Sequence, residues 1–291
     1  MSELLDPAFL RELEALRRRL EIRARSGAAG ERASSRRGSS AEFQDHRPYA
    51  PGDDPRRIDW AVYARTGEPF LKLYRAEEDV VARLLVDASA SMRFGTPSKL
   101  SVAQRMAAGV GYMALARMER AQLASMRDGD VRLASPQRGR GGVTGLLASL
   151  GALEASGTGD LARSVDRIVQ RAARPGMLVV LSDFFDPGPV LSALRRARAA
   201  GHDVALVQVV APEEEAPTLE GDLALVDAET GESLDITADA AAIDAYALRF
   251  AGLCEELRGF AHGYGATYVR VRTDDPLDAA VRRLVARSTD G

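Results

Sequence analysis

Strand-like and helix-like patterns alternate along this chain from about residue 80 to its end. Short, almost wholly apolar runs predict strands covered on both faces, and longer stretches with apolar residues three or four positions apart predict helices. The predicted strands are VVARLLVD, MLVVLSDF, DVALVQVV and ATYVRVRT, and AQLASM and VRLAS flank Asp128-Gly129, a hairpin signal. The predicted helices are SKLSVAQRMAAGVGYMALARME, 142–154, 159–174, VLSALRRARAAG, AAIDAYALRFAGLCEELRGFAHGYG and PLDAAVRRLVARS, and LALVDAETGESLDI predicts a polar edge hairpin.

Residues 1–40 follow a different pattern. DPAFLRELEALRRRLEIRARSG has leucines at helical spacing after Asp6-Pro7, a start signal, so it predicts an N-terminal helix. RARSGAAGERASSRRGSSAEF lacks an apolar period and is typical of a basic, flexible linker. Two interpretations stay open: the linker is solvated, or it holds phosphate, lipid headgroups or an acidic partner. Its arginines are Arg23, Arg25, Arg32, Arg36 and Arg37.

The alternation of strands and helices predicts the fold class. We expect an α/β domain with a mostly parallel sheet, one antiparallel strand from the Asp128-Gly129 hairpin, and helices on both faces. In such folds the functional site lies beyond the carboxyl ends of the strands. Asp87 and Asp183 each stand at the carboxyl end of a predicted core strand, which is the first functional signal in the chain.

Composition narrows the classes of function. The chain has 291 residues, is 46% hydrophobic and 28% charged, and can therefore bury a sizeable core. Its formal net charge of -3 argues against nucleic-acid binding by the whole domain. The single cysteine, Cys254, excludes an internal disulfide and fits a reducing compartment. No apolar stretch is long enough to span a membrane, so we expect a cytoplasmic protein, at most peripheral at the inner membrane face.

The stretch ARLLVDASASMRF places Asp87, Ser89 and Ser91 at i, i+2 and i+4. In an extended chain, oxygens two residues apart are about 6.6 Å apart, whereas neighbouring ligands of Mg²⁺ lie about 3 Å apart. These three side chains can therefore share a metal only if the chain curls after Asp87. Alternatively, the serines cap the following turn or helix. The spacing leaves both interpretations open.

Two further oxygen donors join this pattern: Thr158 in a glycine-flanked loop, and Asp183. Together with D-x-S-x-S they resemble the metal-ion-dependent adhesion site of von Willebrand factor A domains, whose strand and helix order is similar to residues 80–288. The resemblance implies that hydroxyls of Ser89, Ser91 and Thr158 bind Mg²⁺ or Mn²⁺. It implies that Asp87 and Asp183 hold the ion largely through waters, and that a partner's acidic residue completes its coordination. Many such domains have glycine where this chain has Phe184, a departure that could crowd the loop.

The preceding segment, FQDHRPYAPGDDPRRIDWAVYARTGEPFLKLYRAEED, resembles the signature of a bacterial family catalogued as domain of unknown function fifty-eight. Members are typically encoded beside MoxR-type AAA+ ATPases and other von Willebrand A proteins, which implies an adaptor or co-chaperone role with such partners. The predicted divisions are 1–40 (helix and linker), 41–79 (signature segment packing on the domain) and 80–291 (von Willebrand factor A-like domain). Many members carry transmembrane helices before the signature, whereas a helix and a basic linker are expected here.

The signature segment alternates opposite charges between turn signals at Pro51-Gly52 and Thr66-Gly67. One interpretation is a structural cap, with Trp60 and Tyr63 packed on the domain and ion pairs fixing the loop. The other is a second binding face for the ATPase or an anionic group, since arginine recognises carboxylate and phosphate bidentately. The residues proposed for that face are Asp53, Asp54, Arg56, Arg57, Asp59, Trp60 and Arg65.

The resemblance favours a non-catalytic adaptor whose metal docks an acidic partner residue. The alternative is a Mg²⁺-dependent phosphatase that uses Asp87. Such enzymes need a second carboxylate two residues after the first, and this chain has Ser89 at that position. A serine hydrolase would need an oriented histidine. His46, His202 and His262 have no nucleophile elbow nearby, and GRGGVTG lacks the lysine of a phosphate-binding loop.

Overall fold

The computed structural model describes residues 3–26, 41–50, 53–76, 81–117, 119–127 and 129–288. The chain divides into two compact units, one of Met1–Ser26 with Val80–Gly291 and one of Gly27–Asp79. The helices are α1 (Pro7–Ser26), α2 (Trp60–Thr66), α3 (Lys99–Ala116), α4 (Val143–Gly151), α5 (Leu161–Arg171), α6 (Pro187–Ala199), α7 (Pro212–Glu215), α8 (Ala240–Tyr264) and α9 (Leu277–Ser288). The strands are β1 (Ala41–Pro48), β2 (Phe70–Ala76), β3 (Val81–Asp87), β4 (Arg120–Arg127), β5 (Asp130–Leu133), β6 (Gln137–Arg138), β7 (Met177–Ser182), β8 (Asp203–Val210), β9 (Gly221–Val226), β10 (Ser233–Ala238) and β11 (Thr267–Arg272).

The central sheet of the first unit has the strand order β11-β8-β7-β3-β4-β5. Strands β11, β8, β7, β3 and β4 pair in parallel, and β5 pairs with β4 in antiparallel orientation. This arrangement confirms the predicted fold class, an α/β domain with a mostly parallel sheet and helices on both faces. The short strand β6 also pairs antiparallel with β4, a second antiparallel element beyond the one that the Asp128-Gly129 hairpin predicted.

Alternate residues of β3 face two separate hydrophobic layers, as the two-residue period of a strand requires. Leu84 and Val86 pack with α1, α3, α4 and α9 on one face. Leu85 packs with α5, α6 and α8 on the other. Each of these three side chains is fully buried, which stabilises the fold by about 1.5–3 kcal/mol per residue. Helices on both faces leave the strand ends as the accessible edge of the sheet.

Helix α1 belongs to this packed unit. Leu13 and Leu16 are buried in the same layer as α3 and α9. A hydrogen bond from the Arg17 guanidinium and a smaller contribution from the Tyr112 hydroxyl lower the pKa of Glu14 to about 2. The helix runs to Ser26, so the first four residues of the predicted linker are helical. Residues 27–40, with Arg32, Arg36 and Arg37, lie outside the described residues.

The second unit contains β1, α2 and β2, with β1 and β2 paired antiparallel. The sequence patterns did not predict these strands, because charged residues interrupt both of them. The turn signal at Thr66-Gly67 is confirmed, since Gly67 ends α2 with a φ of 75°. Pro51-Gly52 lies outside the described residues. The packing of this segment on the domain stays a prediction.

The predicted edge hairpin forms, but it does not belong to the edge of the central sheet. Strands β9 and β10 make a separate two-stranded sheet. Nor is the hairpin uniformly polar, since Leu225 and Leu234 pair directly across it. Finally, none of the helices in the described part of the chain is long and apolar enough to cross a membrane.

Candidate metal centre

Asp87 and Ser182 end the adjacent parallel strands β3 and β7, and Asp183 follows directly. Asp87 and Asp183 are both buried, each with only 5% of its surface exposed. Ser182 donates its hydroxyl proton to Asp87 Oδ2 at 2.7 Å, which links the two strand ends directly. The structure thus brings together the two carboxylates that the strand pattern had singled out.

The chain curls immediately after Asp87. The Ser89 N–H donates to Asp87 Oδ1 at 2.9 Å, and a short 3₁₀ helix, Ala90–Arg93, follows. Ser89 occupies the N-cap position of that helix, but its side chain makes no capping hydrogen bond. The capping interpretation therefore does not describe Ser89. Ser98, in contrast, caps α3 through the Ser101 N–H.

Three side-chain oxygens form a continuous series beside Asp87. Ser89 Oγ lies 3.1 Å from Ser91 Oγ, and the Ser91 hydroxyl lies 3.1 Å from Asp183 Oδ2. Adjacent ligands of an octahedral ion with bonds of about 2.1 Å stand about 3 Å apart, so this spacing suits Mg²⁺ or Mn²⁺. Among the described residues, no three His, Cys, Asp or Glu side chains group as metal ligands. Hydroxyls would therefore dominate the donor set.

The Thr158 loop lies against the same turn. The Ser156 N–H donates to the Ala88 carbonyl, and the Ala90 N–H donates to the Gly157 carbonyl, both at 2.9 Å. A Cβ on Gly159 would come within 3.3 Å of Ser89 Cβ and 2.6 Å of Met126 Cε, so a larger residue there would have to displace the Met126 methyl group. The loop thus stands beside Ser89, with the Thr158 side chain exposed. The hydrogen bonds that join Ser89, Ser91 and Asp183 do not involve the Thr158 hydroxyl.

The sequence interpretation missed a buried cation in this centre. The Lys99 side chain is 1% exposed, and its Nζ donates to Asp183 Oδ2 at 2.8 Å and to Glu214 Oε1 at 2.6 Å. The Phe185 ring lies 5.1 Å from the same ammonium. A faint signal existed, because a lysine in the first turn of a helix opposes the helix dipole. No local pattern pointed to Glu214, which α7 contributes.

Negative charge exceeds positive charge in this cluster. Burial and, to a smaller extent, repulsion from Asp183 raise the pKa of Asp87 to about 6. Burial also raises the pKa of Glu214. Burial alone would lower the pKa of Lys99, but the Asp183 and Glu214 carboxylates outweigh it and raise that pKa overall. The cluster thus contains three carboxylates and one ammonium, which contacts Asp183 and Glu214, so the donor set fits an added divalent cation.

Phe184 has a φ of 57°, the only positive φ at a non-glycine position among the described residues. Its backbone therefore adopts the left-handed conformation that glycine takes most easily, at a cost of about 1–2 kcal/mol. The ring is buried in the layer formed with α5, α6 and α8. The departure from the family pattern suggested that Phe184 could crowd the loop. Because its ring is buried in this layer, the side chain does not crowd it. Its neighbour Phe185, in contrast, is exposed.

The three aspartates of the proposed binding face are engaged within their own unit. Asp54 and Asp59 cap the 3₁₀ helix Pro55–Arg57 and helix α2, and Asp53 pairs with Arg47 at 2.6 Å. Asp59 also lies 2.9 Å from His46 Nε2.

The remaining residues of the proposed binding face are exposed where the structure describes them. The Trp60 side chain is 63% exposed and meets Tyr63 edge to face at 5.9 Å between ring centroids. Arg56 and Arg65 are exposed as well, and the Arg57 side chain lies outside the described residues.

Comparison with known proteins places the chain in a family. Residues 45–251 match the family described as protein of unknown function DUF58. A Mycobacterium bovis protein, uncharacterized protein Mb1516, is 34% identical over 261 residues, covering 87% of this chain and 81% of that protein. The Mycobacterium tuberculosis H37Rv protein, uncharacterized protein Rv1480, matches to the same extent.

Two solved structures are also similar. The conserved hypothetical protein BatB from Bacteroides thetaiotaomicron is 16% identical, with a TM-score of 0.45, and the match covers 73% of this chain and 100% of that one. A von Willebrand factor type A structure from Catenulispora acidiphila is 12% identical, with a TM-score of 0.42 over 72% of this chain and 42% of that one. From the family match and the mycobacterial relatives together, the chain belongs to the DUF58 family.

Proposed function

We propose that this protein is a metal-dependent adaptor for protein–protein interaction and does no chemistry of its own. A Mg²⁺ or Mn²⁺ ion would be held by Ser89, Ser91, Thr158, Asp87 and Asp183. When bound, the ion would supply an electrophilic position that accepts an acidic side chain of a partner. The observation that carries the proposal is the 3.1 Å spacing that runs from Ser89 Oγ through Ser91 Oγ to Asp183 Oδ2.

The surrounding residues prepare this centre. The Ser182 hydroxyl and the Ser89 N–H fix both oxygens of Asp87, so its carboxylate keeps one orientation. Lys99 neutralises part of the charge on Asp183 and Glu214, which limits their mutual repulsion. Neutral hydroxyl ligands leave the cation short of negative charge, so an added carboxylate is favourable there.

The family resemblance supports a particular partner, a MoxR-type AAA+ ATPase, together with other von Willebrand factor A proteins. We place this encounter in the cytoplasm. The exposed Trp60, Arg56 and Arg65 of the signature segment are the candidates for a second contact with the ATPase. An aromatic flanked by arginines is a common anchor at protein interfaces.

No observation in the described residues favours the phosphatase alternative. Both Asp87 oxygens accept hydrogen bonds, the side chain is buried, and Ser89 stands where such enzymes carry a second carboxylate. A nucleophilic carboxylate needs a free oxygen that faces the substrate. We therefore retain the adaptor as the proposed function.

Affinity capture from native lysate tests the proposal. Wild type and Asp87→Ala are compared with Mg²⁺ and with EDTA, and Asp244→Ala serves as a matched control on an exposed aspartate. We expect an ATPase with wild type and with Asp244→Ala, and only when Mg²⁺ is present. Recovery of the same ATPase under every condition would place the contact elsewhere, with the segment around Trp60 the next candidate. Phosphatase activity on a generic substrate that is lost in Asp87→Ala would overturn the adaptor.

A further inference from the structure

The β9–β10 hairpin carries an apolar face that the rest of the described chain leaves largely uncovered. Direct cross-strand pairing puts four aliphatic side chains on one side, Leu223 opposite Ile236 and Leu225 opposite Leu234. Leu225 is 42% exposed and Leu234 is 65% exposed, whereas Ala238 at the base is buried. Exposed, contiguous apolar surface of this kind marks interaction sites in soluble proteins.

The hairpin is also strongly acidic. No lysine, arginine or histidine occurs between residues 203 and 248. Within the described chain, none of the carboxylates between residues 220 and 235 forms a salt bridge. They are Glu220, Asp222, Asp227, Glu229, Glu232 and Asp235.

Some of these carboxylates are fixed locally by neutral donors. Asp227 accepts from the Thr230 and Glu229 N–H groups, which lower its pKa, and Asp222 accepts from the Thr237 hydroxyl. Neutral donors leave the charge uncompensated. The negative charge around the apolar face is therefore available to a cationic partner.

We propose that the β9–β10 hairpin is a docking surface for a cationic protein surface. Aliphatic side chains of the partner pack on Leu225 and Leu234, and its lysines or arginines meet the hairpin carboxylates. Charge decides among the possible occupants. A second copy of this hairpin and an anionic lipid surface would each bring like charge to the hairpin and be repelled.

The position of the hairpin adds to the argument. Glu229 in its turn accepts a hydrogen bond from the Gly159 N–H at 3.0 Å, directly beside Thr158. The docking surface is thus continuous with the candidate metal centre, and a partner on one lies next to the other. The proposal does not depend on the metal, because neither the leucines nor the unpaired carboxylates take part in that centre.

The test measures binding of the full chain to a labelled peptide of alternating lysine and leucine by fluorescence anisotropy. A matched peptide with serine in place of leucine reports the apolar contribution. One variant combines Leu225→Ser with Leu234→Ser, and another combines Asp222→Lys, Glu232→Lys and Asp235→Lys. The control carries the same charge change at exposed positions elsewhere, Glu68→Lys, Glu154→Lys and Glu256→Lys.

We expect wild type to prefer the leucine peptide by about tenfold, and the leucine variant to lose this preference. The hairpin charge variant should bind about tenfold more weakly, whereas the charge control should change less than about twofold. Peptide binding should change less than about fivefold between Mg²⁺ and EDTA, which separates this proposal from the metal-dependent function. All substituted positions are exposed, so equal melting temperatures should confirm folding.

Three results would overturn the proposal. Equal weakening by the charge control would reduce the effect to net charge. If wild type dimerises in sedimentation measurements and the leucine variant does not, the occupant of the docking surface would be a second copy of the chain. Binding to phosphatidylserine vesicles that depends on Leu225 and Leu234 would make the surface lipid-binding.

Discussion

Asp87 and Asp183 end neighbouring parallel strands and are equally buried, yet different groups surround them. Asp87 is held by neutral donors, the Ser89 N–H and the Ser182 hydroxyl. Asp183 meets a full positive charge, the Lys99 ammonium at 2.8 Å. The difference shows that the chain itself supplies a cation to Asp183, whereas burial and the nearby Asp183 raise the pKa of Asp87. The following experiments test this asymmetry.

Removing the compensating charge should give the largest effect. Lys99→Met would leave Asp183 and Glu214 buried without their cation, so we expect unfolding to be easier by about 3–5 kcal/mol in urea titrations. The control is Arg196→Met, which breaks an exposed pair with Asp166 and should cost at most about 1 kcal/mol. A Lys99→Met protein as stable as wild type would mean that the cluster does not need this charge.

Asp87, which has no positively charged side chain beside it, should determine metal binding. Asp87→Asn is expected to weaken Mg²⁺ or Mn²⁺ binding by at least about tenfold in calorimetric titration, because a hard cation prefers a charged oxygen. Asp244→Asn, on an exposed helical position, should leave binding unchanged. Equal affinity in wild type and Asp87→Asn would exclude Asp87 from the site.

The metal-free protein should show the asymmetry in its pH dependence. The pKa of Asp87 is raised from 3.8 to about 6, so the folded state keeps this proton at a pH where the unfolded state has lost it. The resulting stabilisation is fully present below the unfolded pKa and is lost as the pH rises through the folded pKa. Asp87→Asn should flatten this slope in urea titrations performed with EDTA. An unchanged slope would assign the titration to another group.

The smallest effect is expected from the hydroxyl between the two halves. Ser91→Ala removes the hydrogen bonds of this hydroxyl with Asp183 and Ser89 and should cost about 1 kcal/mol of stability. Ser149→Ala removes an exposed hydroxyl bond within α4 and should cost less. A Ser91→Ala variant that keeps both full stability and full metal affinity would take Ser91 out of the centre.

The sequence predicted those parts of the fold that depend on local patterns. Apart from Arg83 and the end residues Asp87 and Ser182, these two strands are apolar, so both they and the closeness of their ends could be foreseen. The curl after Asp87 required the structure, since D-x-S-x-S is compatible with either a cap or a cluster. Strands β1 and β2 were missed because their charged residues hide the apolar alternation.

Long-range partners lay beyond any pattern. Lys99 is 115 residues from Glu214, and lysine is rarely buried, so no local rule places it in the centre. The signature aspartates were open to a structural and a binding interpretation, and Asp54 and Asp59 cap helices of their own unit. Capping depends on where a helix begins, which the charge pattern alone did not reveal.

The contact between Glu229 and Gly159 has a thermodynamic consequence. It joins the hairpin turn to the loop that presents Thr158, so a ligand that displaces one of them changes the free energy of the other. Such coupling is reciprocal: the factor by which occupancy of the hairpin alters affinity at the loop equals the factor in the opposite direction. One hydrogen bond of this kind contributes about 1 kcal/mol, so occupancy of one site can change the affinity at the other by at most about fivefold. Glu229→Gln, which keeps an acceptor, and Glu229→Ala, which removes it, separate the charge of this link from its geometry.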